Sequence, residues 1–200
     1  MSILMRSGSG PIALSIQICE GTYLEDFNIL VGCPRERERA ARSEVQYFIG
    51  DLLGDTQLRV FDVRIVGLIA CLTKLDPFAV IERLKVMATE NPYQFRFAIR
   101  FTPLEFCVPS SIDEISRATG ELLSRISENE TFRVTVRKRH TQLETMQVVS
   151  AVAAMIPRKV DLDNPDKTVW IEIVGEKTGM SILDQEKDIL SIMTLRDDIY

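Results

Sequence analysis

The residues best suited to chemistry fall in one run, Thr131 to His140, which reads TFRVTVRKRH. Phe132, Val134 and Val136 alternate with Arg133, Thr135 and Arg137, the period-two pattern of a strand with one buried face. The strand runs out into Arg137, Lys138, Arg139 and His140. Thr141 and Glu144 then have the spacing of a capping box, in which hydroxyl and carboxylate close the first orphan amides of a helix. Leu143, Met146, Val149, Ala153 and Ile156 follow at helical spacing. Cations leading into a helix N-terminus, whose free N–H groups and dipole also favour anions, make a candidate phosphate site. The plainer alternative is a solvated strand tip. Residues 131–160 carry six Lys and Arg against Glu144 alone, a net +5, whereas the whole chain is −5 and the remainder therefore −10. A cationic spot on an acidic body fits a local binding face, not a protein that coats nucleic acid indiscriminately.

Two hundred residues allow one large domain or two small ones, each with a core. Hydrophobic content of 46 % with 26 % charged residues is that of an ordinary globular chain. The longest apolar run, Ile65 to Leu72, is too short to cross a bilayer and contains Gly67, so no membrane partner is expected. Residues 1–26 lack the charged start, long apolar block and cleavage site of a signal peptide. Cys19, Cys33, Cys71 and Cys107 are far apart, which predicts neither a zinc site nor a disulfide framework. Cytoplasmic residence is the expectation.

Around that run, the elements are laid out in order. Residues 1–26 form an N-terminal extension, with a short strand possible where Ile12, Leu14, Ile16 and Ile18 alternate. Phe27 to Cys33 reads as a strand, and Pro34 suits the first turn of a helix. Ala41, Val45, Phe48, Ile49 and Leu52 make that helix's apolar stripe, which ends at Gly54. Leu58 to Thr73 is β-rich, and Gly67 divides it into two strands with a tight turn. Asp76 caps a helix with Pro77 in its first turn, reaching Asn91 and Pro92. Gln94 to Phe106 returns to strand, with Phe95, Phe97 and Ile99 on one face. Strand, helix, strand, strand, helix, strand over 27–105 predicts a ferredoxin-like domain. A second unit, 106–200, opens with a capping box at Ser111 and Glu114, and Ile115, Ala118, Leu122 and Ile126 line its first helix. After the basic strand and its helix come a turn at Asp161 to Asp166 and a strand in which Val169, Ile171 and Ile173 oppose Trp170. A last strand contains Met180 and Ile182. The fold class is therefore mixed α/β (α+β). The acidic tail, with Asp184, Glu186, Asp188, Asp197 and Asp198, belongs off any phosphate-binding face.

Arg158, Lys159 and Arg100 are second-rank candidates. Arg158 and Lys159 sit at a helix C-terminus, where cations complement the dipole, about 20 Å from Arg137 at 1.5 Å rise per residue. No catalytic constellation emerges. His140 is the only histidine and has no evident partners, no glycine-rich phosphate motif is present, and Asp161 to Asp166 lacks the glycine and final glutamate of a calcium loop. No metal and no cofactor is expected.

The second unit resembles the THUMP domain, an RNA-binding module of tRNA-modifying enzymes. The resemblance rests on Phe132 to Arg139, the following helix, Val160 to Asp166 (VDLDNPD), Val169 to Ile173 (VWIEI), and Ile182 with Leu183. A ferredoxin-like unit usually precedes such a domain, and Phe101 to Val108 looks like the joining segment. The resemblance implies recognition of tRNA, largely through its acceptor arm and backbone shape, since RNA duplexes are read by phosphate and 2′-hydroxyl contacts. Most relatives carry a catalytic domain as well. This chain stops seventeen residues after its last plausible strand, and is similar in that to the stand-alone THUMP adaptor that assists an RNA acetyltransferase in forming 4-acetylcytidine. The expectation is a non-enzymatic tRNA-binding adaptor using Arg133, Arg137, Lys138, Arg139 and His140, with Arg158, Lys159 and Arg100 behind them. The alternatives are the RNA-recognition subunit of a thiouridine synthetase or tRNA methyltransferase, and a ferredoxin-like module that oligomerises or binds a metabolite.

Overall fold

The computed structural model describes residues 24–197. The strand expected around Ile12 to Ile18 lies outside the described residues. Strand β1 (Ile29–Gly32), helix α1 (Glu38–Val45), strands β2 (Arg59–Ile65) and β3 (Leu68–Leu72), helix α2 (Pro77–Glu90) and strand β4 (Arg100–Pro103) follow one another. The strands lie in the order β2-β3-β1-β4, each neighbouring pair antiparallel, which is the ferredoxin-like arrangement. The β2–β3 turn has room only for glycine. Gly67 adopts φ +77°, and a Cβ there would lie 3.0 Å from the Cys33 carbonyl oxygen. Asp76 caps α2 by accepting the Ala79 N–H at 2.8 Å.

Three local expectations are corrected. Pro34 precedes the first helix: its carbonyl accepts the Arg37 N–H at 3.2 Å in a turn, and α1 begins at Glu38. Helix α1 then widens into a π-helical stretch, Gln46–Leu52. The extra residue per turn rotates Leu52 off the stripe to 45 % exposure, while Ala41, Val45, Phe48 and Ile49 stay buried. The long strand expected from Gln94 shortens to β4. The Glu44 carboxylate takes the N–H groups of Arg96, Phe97 and Ala98 at 2.7, 2.8 and 2.6 Å, so those amides are diverted from the sheet ladder.

The second sheet is built from strands β5 (Phe106–Pro109), β6 (Phe132–Arg139), β7 (Lys167–Val174) and β8 (Lys177–Leu183), in the order β5-β8-β7-β6. Helices α3 (Ile112–Leu122) and α4 (Thr145–Met155) cover one face. Strands β6 and β7 are parallel, and α4 is the crossover between them. Ser111 caps α3 by accepting the Glu114 N–H at 3.3 Å, and Ile115, Ala118, Leu122 and Ile126 are buried as expected. The capping box at Thr141 is not formed. Thr141 Oγ1 accepts the Leu143 N–H at 3.2 Å, and α4 starts at Thr145 without a side-chain cap. The buried stripe is Val148, Val152 and Ile156, and Met146 is 68 % exposed. This helix is apolar on nearly every side, so spacing alone does not fix its rotation.

The chain's last described segment does not stay with the second unit. Strand β9 (Leu190–Ser191) pairs antiparallel with the outer edge of β4, and helix α5 (Ile192–Asp197) follows. Leu190 and Ile192 are buried in the first core, so 106–200 is not one block of sequence in one unit. A further apolar cluster joins the two sheets: Phe27, Leu30 and Leu104 from the first unit meet Trp170, Val174 and Leu183 from the second. At its edge the end of the N-terminal extension is tied down, with Asp26 accepting from Lys177 Nζ at 2.7 Å. That bond raises the Lys177 pKa. Among the described residues no helix is long and apolar enough to cross a membrane.

Candidate nucleic-acid interface

Alternation along β6 decides where its cations go. Phe132, Val134 and Val136 pack into the core under α3 and α4, so Arg133, Thr135, Arg137 and Arg139 occupy the opposite face. That face is directed at the first sheet and not simply at solvent, which corrects the expectation of a strand with one buried face. The Arg137 guanidinium stands over the Trp170 ring, 4.8 Å from its centroid, and Arg100 from β4 reaches the same ring at 5.9 Å. Trp170 Nε1–H donates to Glu172 Oε1 at 2.9 Å, and the other carboxylate oxygen of Glu172 accepts from Arg139 Nη1 at 2.6 Å. Arg100, Arg137, Arg139 and Glu172 together line a cleft of about 260 Å³, with Gly32 and Gly67 on its rim. Among the described residues that line the cleft, three carry guanidinium groups and one a carboxylate.

The other expected residues are not brought there. Lys138 points to the helix side, where Nζ donates to the Leu143 carbonyl at 2.9 Å and lies 3.7 Å from Glu144, holding the loop ahead of α4. His140 ends the strand in the left-handed region, φ +54°. It lines a separate cavity of about 320 Å³ with Phe61, Asp62, Arg64 and Glu176. Arg158 is folded back: Nε bonds the Ile126 and Ser127 carbonyls at 3.3 and 3.0 Å, and Nη1 bonds the Pro157 carbonyl at 3.0 Å. Lys159 is exposed. Arg133 lies on the cleft-side face, with its Nε buried. Arg100 also borders a second cavity of about 290 Å³, shared with Lys85 and Lys187.

The turn after α4 positions the site from behind. Asp161 Oδ1 accepts the N–H groups of Asp163 and Asn164 at 3.0 and 2.9 Å. Asp166 Oδ2 accepts both the N–H and the hydroxyl of Thr131 at 2.8 Å, pinning the start of β6. The Thr131 amide, followed by its hydroxyl, holds the Asp166 carboxyl below the usual carboxylate range. The sequence reading missed Trp170 and Glu172 as site residues. The signal was available: Trp and Glu two apart on a strand share a face, and the near-continuous apolar run of β7 marks burial on both sides.

The architecture recurs in solved structures. PH1313 from Pyrococcus horikoshii matches with a TM-score of 0.60 at 18 % identity, over 83 % of this chain and 55 % of that one. A 4-thiouridine synthetase, solved in complex with RNA and with bound ATP, matches with a TM-score of 0.53 at 15 % identity, over 83 % and 42 %. TrmN from Thermus thermophilus matches at 0.51 and 13 % identity, over 78 % and 45 %. At such identities the likeness is one of fold, and the chain spans about half the length of the structures it matches. No curated protein matches. Residues 109–183, from the end of β5 to the end of β8, match the model of the THUMP domain, and the chain contains that domain.

Proposed function

We propose that this chain is a tRNA-binding adaptor, gripping the RNA backbone at the cleft between its two sheets and presenting it to a modifying enzyme on another polypeptide. The observation that carries the reading is the convergence of Arg100, Arg137 and Arg139 from separate elements on one cleft, in a chain whose net charge is −5. A THUMP domain supplies two of the three, and the fold is shared with a synthetase solved with RNA bound. Phosphate contacts of this kind position a duplex and carry no base sequence themselves, which suits a module serving many tRNAs. The partner we assign is an RNA cytidine acetyltransferase forming 4-acetylcytidine, on the strength of the sequence resemblance.

Titrating tRNA against the wild-type chain and against Arg100→Ala/Arg137→Ala at several salt concentrations tests the binding half. The double variant is expected to bind all tRNAs more weakly, with the slope of log K against log salt reduced by roughly 0.7–0.9 for each phosphate no longer neutralised. Absence of tRNA binding by the wild type near physiological salt, alone or with its partner, overturns the reading. Co-purification from cells tests the other half: recovery of a thiouridine synthetase or methyltransferase in place of the acetyltransferase reassigns the partner.

A further inference from the structure

A second group of cations lies on the first unit, in the run Pro34 to Arg42 (PRERERAAR). Arg35, Arg37, Arg39 and Arg42 are exposed, and two glutamates alternate with them. Alternation of this kind normally signals a surface of ion pairs, yet neither Glu36 nor Glu38 forms one with these arginines. Glu38 turns inward and accepts the Gly67 N–H at 2.6 Å, a bond that lowers its pKa. Glu44, on the same helix, is spent on the three backbone amides of Arg96, Phe97 and Ala98. Glu36 remains exposed and pairs with none of the arginines. Arg42 donates to the Val60 carbonyl at 3.1 Å, but Arg35, Arg37 and Arg39 form no ion pair with any described residue. Helix stability does not explain them either, because cations near a first turn oppose the helix dipole.

Position supplies the rest. Gly32 and Gly67 form the rim of the Arg100–Arg137–Arg139 cleft, and the Gly67 turn is bonded to both Cys33 and Glu38. Arg35 is three residues from Gly32, so its backbone lies within about 11 Å of that rim. Beside the arginines, a shallow concavity of about 460 Å³ is lined by Arg39, Arg42, Gln46 and Tyr47, with Asp51 its one carboxylate. Tyr47 is 49 % exposed, an aromatic face next to fixed cations.

Resting on the tRNA-binding reading, we infer that Arg35, Arg37 and Arg39 form a second phosphate-binding surface, which carries the RNA backbone out of the inter-sheet cleft and along the first helix of the ferredoxin-like unit. The cleft fixes one point on the RNA; the arginine arm fixes its direction. The arm acts through point charges, so lysine can replace arginine there.

The test compares wild type, Arg35→Ala/Arg37→Ala/Arg39→Ala and Arg35→Lys/Arg37→Lys/Arg39→Lys in tRNA titrations at about 50 and 200 mM salt. Leaving three phosphates unneutralised lowers the salt slope by roughly 2.1–2.7, so the affinity gap between wild type and the alanine variant narrows about 20- to 40-fold across that interval. The lysine variant keeps wild-type affinity to within about threefold. If wild type binds tRNA and the alanine variant matches it in affinity and slope, the arm is not an RNA surface and the inference fails alone. If that variant instead loses a co-purifying protein, the arm is a protein-docking site and the inference is equally overturned. If the wild type binds no tRNA, the underlying reading fails with it.

Discussion

Glu172→Gln separates what the cleft does for stability from what it does for binding. The Glu172 side chain is 4 % exposed, and its two oxygens hold Trp170 Nε1–H and the Arg139 guanidinium. Removing one partner of a fully buried pair costs about 3–5 kcal/mol. Arg139 is 28 % exposed and can recover part of its hydration, so we take the value for a charged hydrogen bond, roughly 1.5–3 kcal/mol. For a chain of this size that corresponds to a fall in Tm of about 3–12 °C. Urea unfolding followed by circular dichroism gives the free energy directly. The same substitution removes the carboxylate from the cleft and releases Arg139, so tRNA affinity is expected to rise while stability falls. A variant as stable as wild type, or one that binds tRNA less well, would refute the account of the cleft as a cation cluster restrained by one buried anion.

Gly179→Ala tests how tightly the two units abut. Its Cβ would lie 2.4 Å from Leu104 Cδ1 and 2.9 Å from Phe27 Cε2, and overpacking of this kind costs about 1–3 kcal/mol, measured by chemical unfolding. Asp166→Asn tests the turn behind β6. The Asp166 carboxyl titrates lower in the folded chain than its ordinary value, so its contribution to stability is complete above the ordinary carboxylate range near 3.9 and disappears as pH falls through the folded value. The Tm difference between wild type and this variant should therefore be present at neutral pH and close in acid; a constant difference rules the ionised bond out as its source.

Element order was legible because each element carried its own local signal: alternation in β6 and β7, Asp76 ahead of Pro77, and Gly67 between two β-rich runs. What could not be read was settled by partners far away in sequence. Whether Phe95 to Ile99 would pair as strand depended on Glu44, some fifty residues earlier, capturing its amides. The alternation of β6 said which residues share a face, but not that a second sheet would stand opposite Arg137. Arg158, chosen for its charge, is occupied by the carbonyls of Ile126 and Ser127, which no spacing rule connects to it. No pattern in the sequence marks Arg35, Arg37 and Arg39, because Glu36 and Glu38 interleave with them and the bond of Glu38 to the Gly67 amide exists only in the fold.

The pairing of Leu190 and Ser191 with β4 ties the earlier-synthesised sheet to the latest-synthesised residues described. While the protein is on the ribosome, the outer edge of β4 stays open until residue 191 has cleared the exit tunnel, and Leu190 and Ile192 are missing from the first core until then. The strand that carries Arg100 thus gains its outer neighbour only after the THUMP domain has been made.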